Sequence, residues 1–181
     1  ISVIEREVPV IGPEEVLVKP VCCGICGTDL HILRHGFVGT HYPVTPGHEF
    51  AGYISAVGKD VRGLKEGDFV AVDPNVVCGT CRWCMAGRPN LCIHLTPIGV
   101  ARPGAAAEFV AVPACNAFVV KESIGDGVAA MIEPLACAMH AVESSNGVKG
   151  RSVLVLGGGT MGMLIALSAK AQGAGSVAIS D

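Results

Sequence analysis

The sequence has few charged residues and no excess of basic ones, and this scarcity excludes two classes of partner. Charged residues make up 16% of the 181 residues, and the formal net charge is −3. Without surplus lysine or arginine, the chain has nothing with which to neutralise a row of phosphates. We therefore expect no nucleic-acid partner and no membrane-surface partner.

The sequence also has no uninterrupted apolar run of the length that a membrane span needs. The most apolar stretch, residues 153–169, falls short of roughly 20 residues and contains Gly157, Gly158 and Gly159. A buried parallel strand, a glycine turn and a buried helix explain it better. No secretory leader is visible. Because the sequence starts at Ile1 and stops at Asp181, directly after a strand-like run, we expect it to be a piece of a longer protein.

Short β-rich segments dominate the first two thirds of the chain. The glycine and proline residues between them are typical of a barrel-like β domain, and Gly24–Gly39 reads as a loop or short helix. Cys22, Cys23 and Cys115 are expected in the core. The predicted strands cover residues 16–21, 50–57, 68–73, 107–112 and 117–120.

The pattern changes near residue 122. An alanine- and methionine-rich segment, 126–145, predicts a helix interrupted at Pro134. A strand (152–156), a helix (161–172) and a second strand (176–180) then follow in the order of a βαβ unit. The predicted domains are therefore 1–122 and 123–181, and the second is expected to be incomplete.

Four of the nine cysteines lie in a lobe with metal-ligand spacing. Cys78, Cys81, Cys84 and Cys92 follow C-x2-C-x2-C-x7-C. Structural zinc prefers four thiolates, and a lobe with little apolar content needs a metal to hold it. An iron–sulfur cluster remains an alternative at this spacing. This use of cysteine predicts a reducing compartment, the cytoplasm, and no disulfides.

A second group of ligand types lies earlier in the chain. Residues 24–31, Gly-Ile-Cys-Gly-Thr-Asp-Leu-His, supply a thiol, a hydroxyl and an imidazole, and Gly47-His48-Glu49 places another imidazole beside a carboxylate. A catalytic zinc needs about three protein ligands and one open position. Cys26 and His48 are suitable ligand types, and a carboxylate is a candidate for the third.

A glycine motif lies between the predicted strand 152–156 and the following helix. Gly157-Gly158-Gly159-Thr160-Met161-Gly162 is a G-x-G-x-x-G sequence in the context that binds dinucleotides. The helix N-terminus offers N–H groups to the pyrophosphate. Asp181, at the end of the second strand, is placed to accept from the ribose hydroxyls and to repel the extra phosphate of NADP, so NAD is favoured. The predicted cofactor contacts are Gly157, Gly159, Thr160, Met161, Gly162 and Asp181.

Together these motifs occur in the order that is typical of zinc-dependent medium-chain dehydrogenases, and the chain resembles that family along its whole length. Within the family the chain resembles sorbitol and other polyol dehydrogenases, and threonine and butanediol dehydrogenases. The resemblance implies a β-rich GroES-like catalytic domain followed by the start of an α/β Rossmann domain. It also implies two Zn²⁺ ions per chain, with NAD as the cofactor, and a homodimer or homotetramer.

The resemblance assigns roles by position. Cys26, His48, Glu49 and Glu133 match the catalytic zinc site; Glu133 lies in Ile-Glu-Pro-Leu, as in polyol dehydrogenases. Thr28 and His31 match the hydroxyl and imidazole that carry the substrate's proton towards solvent. Cys137, one helical turn after Glu133, is expected to be a small buried residue.

The predicted function is hydride transfer from a secondary alcohol, with a polyol as substrate, to NAD. Arg102-Pro103-Gly104 before Ala107-Glu108-Phe109 is similar to threonine and butanediol dehydrogenases, which are the alternative within enzymes. A non-catalytic zinc-binding module and an inactive relative are alternatives from other classes. We expect the 181 residues alone to be inactive.

Overall fold

A five-stranded antiparallel sheet lies at the centre of the first part of the chain. The computed structural model describes residues 1–181. The strands are rich in valine, which favours a pleated, half-buried surface. They are Glu15–Cys23 (β1), Phe50–Val57 (β2), Phe69–Val72 (β3), Val110–Pro113 (β4) and Ala117–Val119 (β5). Their order in the sheet is β4-β1-β2-β3-β5.

The core of this sheet consists of side chains that alternate along its strands. Val16 and Val18 of β1 are fully buried and pack in one cluster with Phe50, Val70 and Val112. The ladder between β1 and β2 shifts register at two places, between Leu17 and Val18 and between Pro20 and Cys22. A proline has no N–H for the ladder, so an irregular position is where a strand accommodates one.

Five α-helices occur along the chain. The first begins directly after Cys26, and the fifth directly after Gly159. They are Gly27–His35 (α1), Arg82–Met85 (α2), Asp126–Ala130 (α3), Ile132–Ser144 (α4) and Thr160–Ala171 (α5). Single 3₁₀ turns cover Pro89–Leu91, Ala114–Asn116 and Glu122–Ile124.

The predicted βαβ unit is present near the end of the chain. Strands Ser152–Leu156 (β6) and Ser176–Ser180 (β7) pair in parallel, in register from Ser152↔Ser176 to Leu156↔Ser180, and α5 connects them. Helices α4 and α5 pack together, and Val142, Val148 and Ala169 form the buried cluster of this part. None of the helices combines the length and the apolar character that crossing a membrane requires.

Two details of the predicted helix and strands were wrong. The helix 126–145 is interrupted at Met131, not at Pro134. Pro134 is the third residue of α4, where its missing N–H costs nothing because the first-turn N–H groups have no intrahelical partner. The strand predicted at 107–112 begins only at Val110, after a loop in which the N–H groups of Ala105 and Ala106 donate to the carbonyls of Gly47 and Pro46.

The chain divides into two compact units, Ile1–Ala130 and Met131–Asp181. Helix α3 belongs to the first unit because Ala129 is buried in a cluster with Ala51 and Phe69 of the sheet. The predicted domain boundary near residue 122 therefore precedes the division between the units by one short helix. The domain assignment itself stays a prediction.

Candidate metal centres and glycine turn

The four cysteines of the lobe converge on one point. Their Sγ atoms all lie within 4.8 Å of one another. The closest pairs are Cys81–Cys84 and Cys78–Cys92 at 3.5 Å, and Cys78–Cys84 at 4.0 Å. A zinc ion about 2.3 Å from four tetrahedral sulfurs separates them by roughly 3.8 Å. The four thiols therefore fit a closed tetrahedral site.

Backbone N–H groups around the lobe favour thiolates. N–H groups of Thr80 and Cys81 lower the pKa of Cys78 to about 6, and the Cys81 N–H lies 3.3 Å from the Cys78 Sγ. Burial raises the pKa of Cys84 to about 12, and hydrogen bonds with Cys81 and Cys92 add to the rise. These surroundings therefore favour a thiolate at Cys78 and disfavour one at Cys84. A divalent ion at their centre removes that conflict, because it binds thiolates.

A second group of ligand atoms meets in the first unit. The Cys26 Sγ, a ring nitrogen of His48 and a carboxylate oxygen of Glu49 lie within 4.8 Å of one another. Cys26 precedes α1, whereas His48 and Glu49 lead into β2. A thiolate, an imidazole and a carboxylate with a further position left open match the donor set of a catalytic zinc site.

Asp29 joins the two segments that carry these ligands. One of its oxygens accepts from the Cys26 N–H at 2.8 Å, and the other from the Gly47 N–H at 3.3 Å. The Nδ1 of His48 lies 3.5 Å from that second oxygen, is buried, and makes no hydrogen bond. A carboxylate beside one ring nitrogen is the arrangement that orients a histidine whose other nitrogen binds a metal. The sequence motif contained Asp29, but no role was predicted for it.

Glycines allow the backbone to approach these ligands closely. A Cβ on Gly24 would collide with the Glu49 carboxylate, and the Gly24 N–H donates to the Glu49 carbonyl at 2.7 Å. Gly47, at φ +97°, has Cys23 Sγ and the backbone of Ala106 against it. Burial raises the pKa of the Cys23 thiol to about 11, and the Asp29 carboxylate adds to the rise. The Cys23 sulfur is not among the ligand atoms that meet in the first unit.

Thr28 and His31 lie on α1 beside this group. The Thr28 Oγ1 is 3.7 Å from the Cys26 Sγ. His31 is exposed, three positions later on the same helix, with its ring 5.9 Å from Phe37 in an edge-on contact. The two residues thus extend from the ligand group to the surface of the first unit. Their roles in proton transfer stay predictions.

Glu133 lies in the second unit, in the first turn of α4, where the Cys137 Sγ is 3.7 Å from its Oε1. Its assignment as a ligand of the group in the first unit stays a prediction. Cys137 is exposed rather than buried, and so is Cys115. In the 3₁₀ turn that contains Cys115, the side chain directed inward is Asn116, which donates to the carbonyls of Asp73 and Asn75 at 2.9 and 3.2 Å.

The glycine motif forms a tight turn between β6 and α5. Gly157 has φ +104°, and its N–H donates to the Ser180 carbonyl at 2.7 Å. A Cβ on Gly162 would collide with the Gly157 carbonyl, so this glycine lets helix and strand pack closely. Gly159 caps α5, and Thr160 and Met161 open it. The turn borders an open depression of about 470 Å³.

Asp181 lies against this turn. Its Oδ2 is 3.0 Å from the place that a Cβ on Gly158 would occupy. The carboxylate therefore lies beside the glycine turn that leads into the twelve-residue helix α5. Six predicted cofactor residues are thus in one region of the second unit: Gly157, Gly159, Thr160, Met161, Gly162 and Asp181.

Comparison with known proteins gives one family. Residues 12–123 match the alcohol dehydrogenase GroES-like domain. The chain is 40% identical to an L-threonine 3-dehydrogenase of Deinococcus radiodurans, over 100% of this chain and 53% of that protein. It is 41% identical to a D-altritol 5-dehydrogenase of Agrobacterium fabrum, over 97% of this chain and 54% of that protein.

A solved structure agrees with these relatives. A zinc-binding dehydrogenase from Sinorhizobium meliloti 1021, bound to NADP, superposes with a TM-score of 0.92 at 44% identity, covering 96% of this chain and 51% of that one. The chain therefore spans about half the length of the proteins it matches.

Proposed function

The chain belongs to the zinc-dependent medium-chain alcohol and polyol dehydrogenase family, and from this premise we propose that it is part of an enzyme that transfers hydride from a secondary alcohol to NAD. The observation that carries the proposal is the meeting of Cys26, His48 and Glu49, with Asp29 behind the imidazole. A non-catalytic zinc module would need only the four-cysteine lobe. A non-catalytic module would not explain the second group of ligand atoms or the glycine turn.

The residues of the first unit supply positioning and proton transfer. A zinc ion there would act as a Lewis acid that lowers the pKa of an alcohol hydroxyl, and NAD would supply the hydride acceptor. The Thr28 hydroxyl, 3.7 Å from the Cys26 sulfur, accepts the proton of a hydroxyl lying at the ligand group while it releases its own proton towards His31. His31, exposed on the next turn of α1, passes it to water, since imidazole exchanges protons near neutral pH.

NAD is the proposed cofactor because of Asp181. A carboxylate at the end of the second strand accepts hydrogen bonds from ribose hydroxyls and repels a 2′-phosphate. The position of Asp181 against Gly158 supports this assignment. The Sinorhizobium relative was solved with NADP, so the two cofactors must be compared directly.

A polyol is the proposed substrate, and Glu133 is the proposed additional zinc ligand, as in polyol dehydrogenases. The similarity to a D-altritol dehydrogenase supports the polyol assignment. The similarity to L-threonine 3-dehydrogenases, together with Arg102-Pro103-Gly104, supports a threonine or butanediol substrate as the second candidate.

A metal analysis and a substrate panel on the complete protein test the proposal. We expect two zinc ions per chain, one of which is lost in Cys26→Ser, and NAD-linked oxidation that is fastest with polyols and abolished in that variant. Preferential oxidation of L-threonine or 2,3-butanediol would establish the second candidate. One zinc ion per chain, unchanged in Cys26→Ser, would refute the enzymatic proposal.

The isolated 181 residues are proposed to turn over poorly, and the complete enzyme to be a homodimer or homotetramer. The relatives are about twice as long, and a single βαβ unit offers few contacts to a dinucleotide. NAD titration of this chain and of the complete protein checks the first statement. The mass of the complete protein in solution checks the second. Equal NAD affinity would refute the first, and a monomer the second.

A further inference from the structure

Helix α1 carries a pair of histidines that the proposed reaction uses only in part. His31 and His35 are four positions apart, so they share one face of the helix. Their ring centroids are 5.2 Å apart, and the ring planes are inclined at 55°. Both residues are exposed to solvent. Only His31 has a part in the proton path proposed above.

Two imidazoles at this spacing are a metal-binding arrangement. Histidines at i and i+4 on one helix face give two nitrogen ligands to one ion, as in zinc-binding helices. Two metal–nitrogen bonds of roughly 2.0–2.1 Å require the nitrogens to lie within about 4.2 Å of each other. Rings whose centroids are 5.2 Å apart are close enough for a nitrogen of each to meet that requirement.

The surroundings of the pair leave room for water on a bound ion. His31 and His35 line an open depression of about 180 Å³, together with Gly27, Leu30 and Arg34. No carboxylate lines it. Both oxygens of Asp29, on the same helix, are engaged by the N–H groups of Cys26 and Gly47.

We propose that His31 and His35 form a third metal site, distinct from both the Cys26 group and the four-cysteine lobe, that binds a divalent transition-metal ion reversibly. Imidazole suits Zn²⁺, Ni²⁺ and Cu²⁺, with Cu²⁺ bound most tightly in the usual order of affinity. Mg²⁺ and Ca²⁺ prefer oxygen ligands and are excluded. Two ligands and a nearby guanidinium make the site weaker than either cysteine-containing one.

Occupation of the site has a consequence for turnover. A metal ion on the ring of His31 ties up that imidazole, so it no longer passes protons to water. Excess Zn²⁺ then inhibits the enzyme without displacing the ions at the other two sites. This consequence rests on the proposed function, whereas metal binding by the pair does not.

Calorimetric titration with Ni²⁺ tests the site itself. The complete, zinc-loaded protein is compared with His35→Ala and with the matched control His41→Ala, which removes another exposed histidine outside α1. We expect wild type and His41→Ala to bind an additional Ni²⁺ that His35→Ala binds at least 10-fold more weakly. Circular dichroism verifies that the variants fold. Equal Ni²⁺ binding in His35→Ala overturns the proposal.

Inhibition by added Zn²⁺ tests the consequence. Each variant's rate is expressed relative to its own rate without added metal. We expect wild type and His41→Ala to be inhibited, and His35→Ala to resist the same concentrations. Inhibition that persists in His35→Ala overturns the link to His31. If the complete protein shows no NAD-linked turnover, the proposed function is refuted. The Ni²⁺ titration still tests whether His31 and His35 bind a metal ion.

Discussion

Asp29 holds the geometry of the candidate metal centre, because it contacts both segments that carry ligands. It accepts from the backbone of Cys26 and of Gly47 and lies beside the buried ring nitrogen of His48. Its first contact was within reach of sequence analysis: an acidic residue three positions after a helix start is a capping signal. Its contact with His48 was not, because it depends on how α1 meets the start of β2.

Asp29→Asn is expected to weaken metal binding at the Cys26 group. The amide removes the negative charge beside His48 and can accept at only one of its two positions. Changes to such supporting residues typically cost 10–100-fold in metal affinity or activity. Competition with a chromogenic chelator measures the affinity. Asp60→Asn, at an exposed turn, is the control and should bind zinc as wild type does.

Glu15 and Arg102 tie β1 to the loop that precedes β4. The Arg102 guanidinium donates to Glu15 Oε1 at 2.7 Å, and the Gly12 N–H to Oε2 at 2.9 Å. The Gly12 N–H lowers the pKa of Glu15 below its ordinary value of 4.5, burial opposes this, and Arg102 adds to the lowering. A carboxyl whose pKa is lower in the folded chain stabilises it above the ordinary value and loses that contribution as the pH falls through the folded value.

Glu15→Gln is therefore expected to cost about 1 kcal/mol of unfolding free energy at pH 7, since the pair is partly buried. The difference from wild type should stay constant down to pH 5 and shrink below pH 4.5. Urea unfolding at several pH values measures it, with Glu14→Gln, at an exposed neighbour, as the control. A difference that grows as the pH falls would contradict the assigned pKa direction.

At the scale of elements, the short strands and the βαβ unit could be predicted from residue type and from the glycine and proline residues between them. These local signals indicate the same elements. The break at Met131 did not. Proline interrupts a helix interior but is harmless in a first turn, so its effect depends on where the helix begins. In the same way, residues 104–106 carry no local signal that their N–H groups donate to the carbonyls of residues 45–47.

The four-cysteine lobe has little besides its thiols to hold it. Cys84→Ser is expected to reduce the zinc content by one ion per chain and to expose residues 78–92 to proteolysis, because three thiolates hold zinc less well than four. Metal analysis and limited proteolysis measure these effects. Cys115→Ser changes an exposed thiol outside both groups and should match wild type. A protected lobe in Cys84→Ser would show that the metal is not its main support.

The glycine turn between β6 and α5 depends on the glycine at position 162. Gly162→Ala places a methyl group against the Gly157 carbonyl and is expected to separate α5 from β6. We expect thermal unfolding at least several degrees lower and NAD binding at least 10-fold weaker in the complete protein. Gly127→Ala, in α3 with open space around it, is the control. It should be neutral or stabilise by roughly 0.5–1 kcal/mol, because alanine favours helix.

For the whole molecule, the two metal groups differ in how closed they are. Four protein sulfurs would enclose an ion in the lobe, whereas only three ligand atoms meet in the Cys26 group. A mild chelator is therefore expected to remove one zinc ion per chain first, abolishing turnover while the circular dichroism stays unchanged. Metal content followed alongside activity and spectrum tests this order. Simultaneous loss of both ions would show that the two sites are similarly exposed.

For the whole molecule, the sequence predicted which ligand residues come together. It did not predict which hydrogen bonds hold them in place. Cys26, His48 and Glu49 meet as expected, and so do the four lobe cysteines. The supports come from elsewhere in the chain, since the N–H groups of Gly104, Ala105 and Ala106 donate to the carbonyls of residues 45–47 just before His48. Sequence spacing carries no information about such pairings.

That backbone pairing fixes an order of events during synthesis. All four sulfurs of the lobe have left the ribosome once Cys92 emerges, and they need no later residue to surround an ion. In the Cys26 group, the loop that precedes His48 is anchored by hydrogen bonds from residues 104–106, which are synthesised later. We therefore expect a nascent chain to capture its first metal in the lobe, before the loop that carries His48 is anchored.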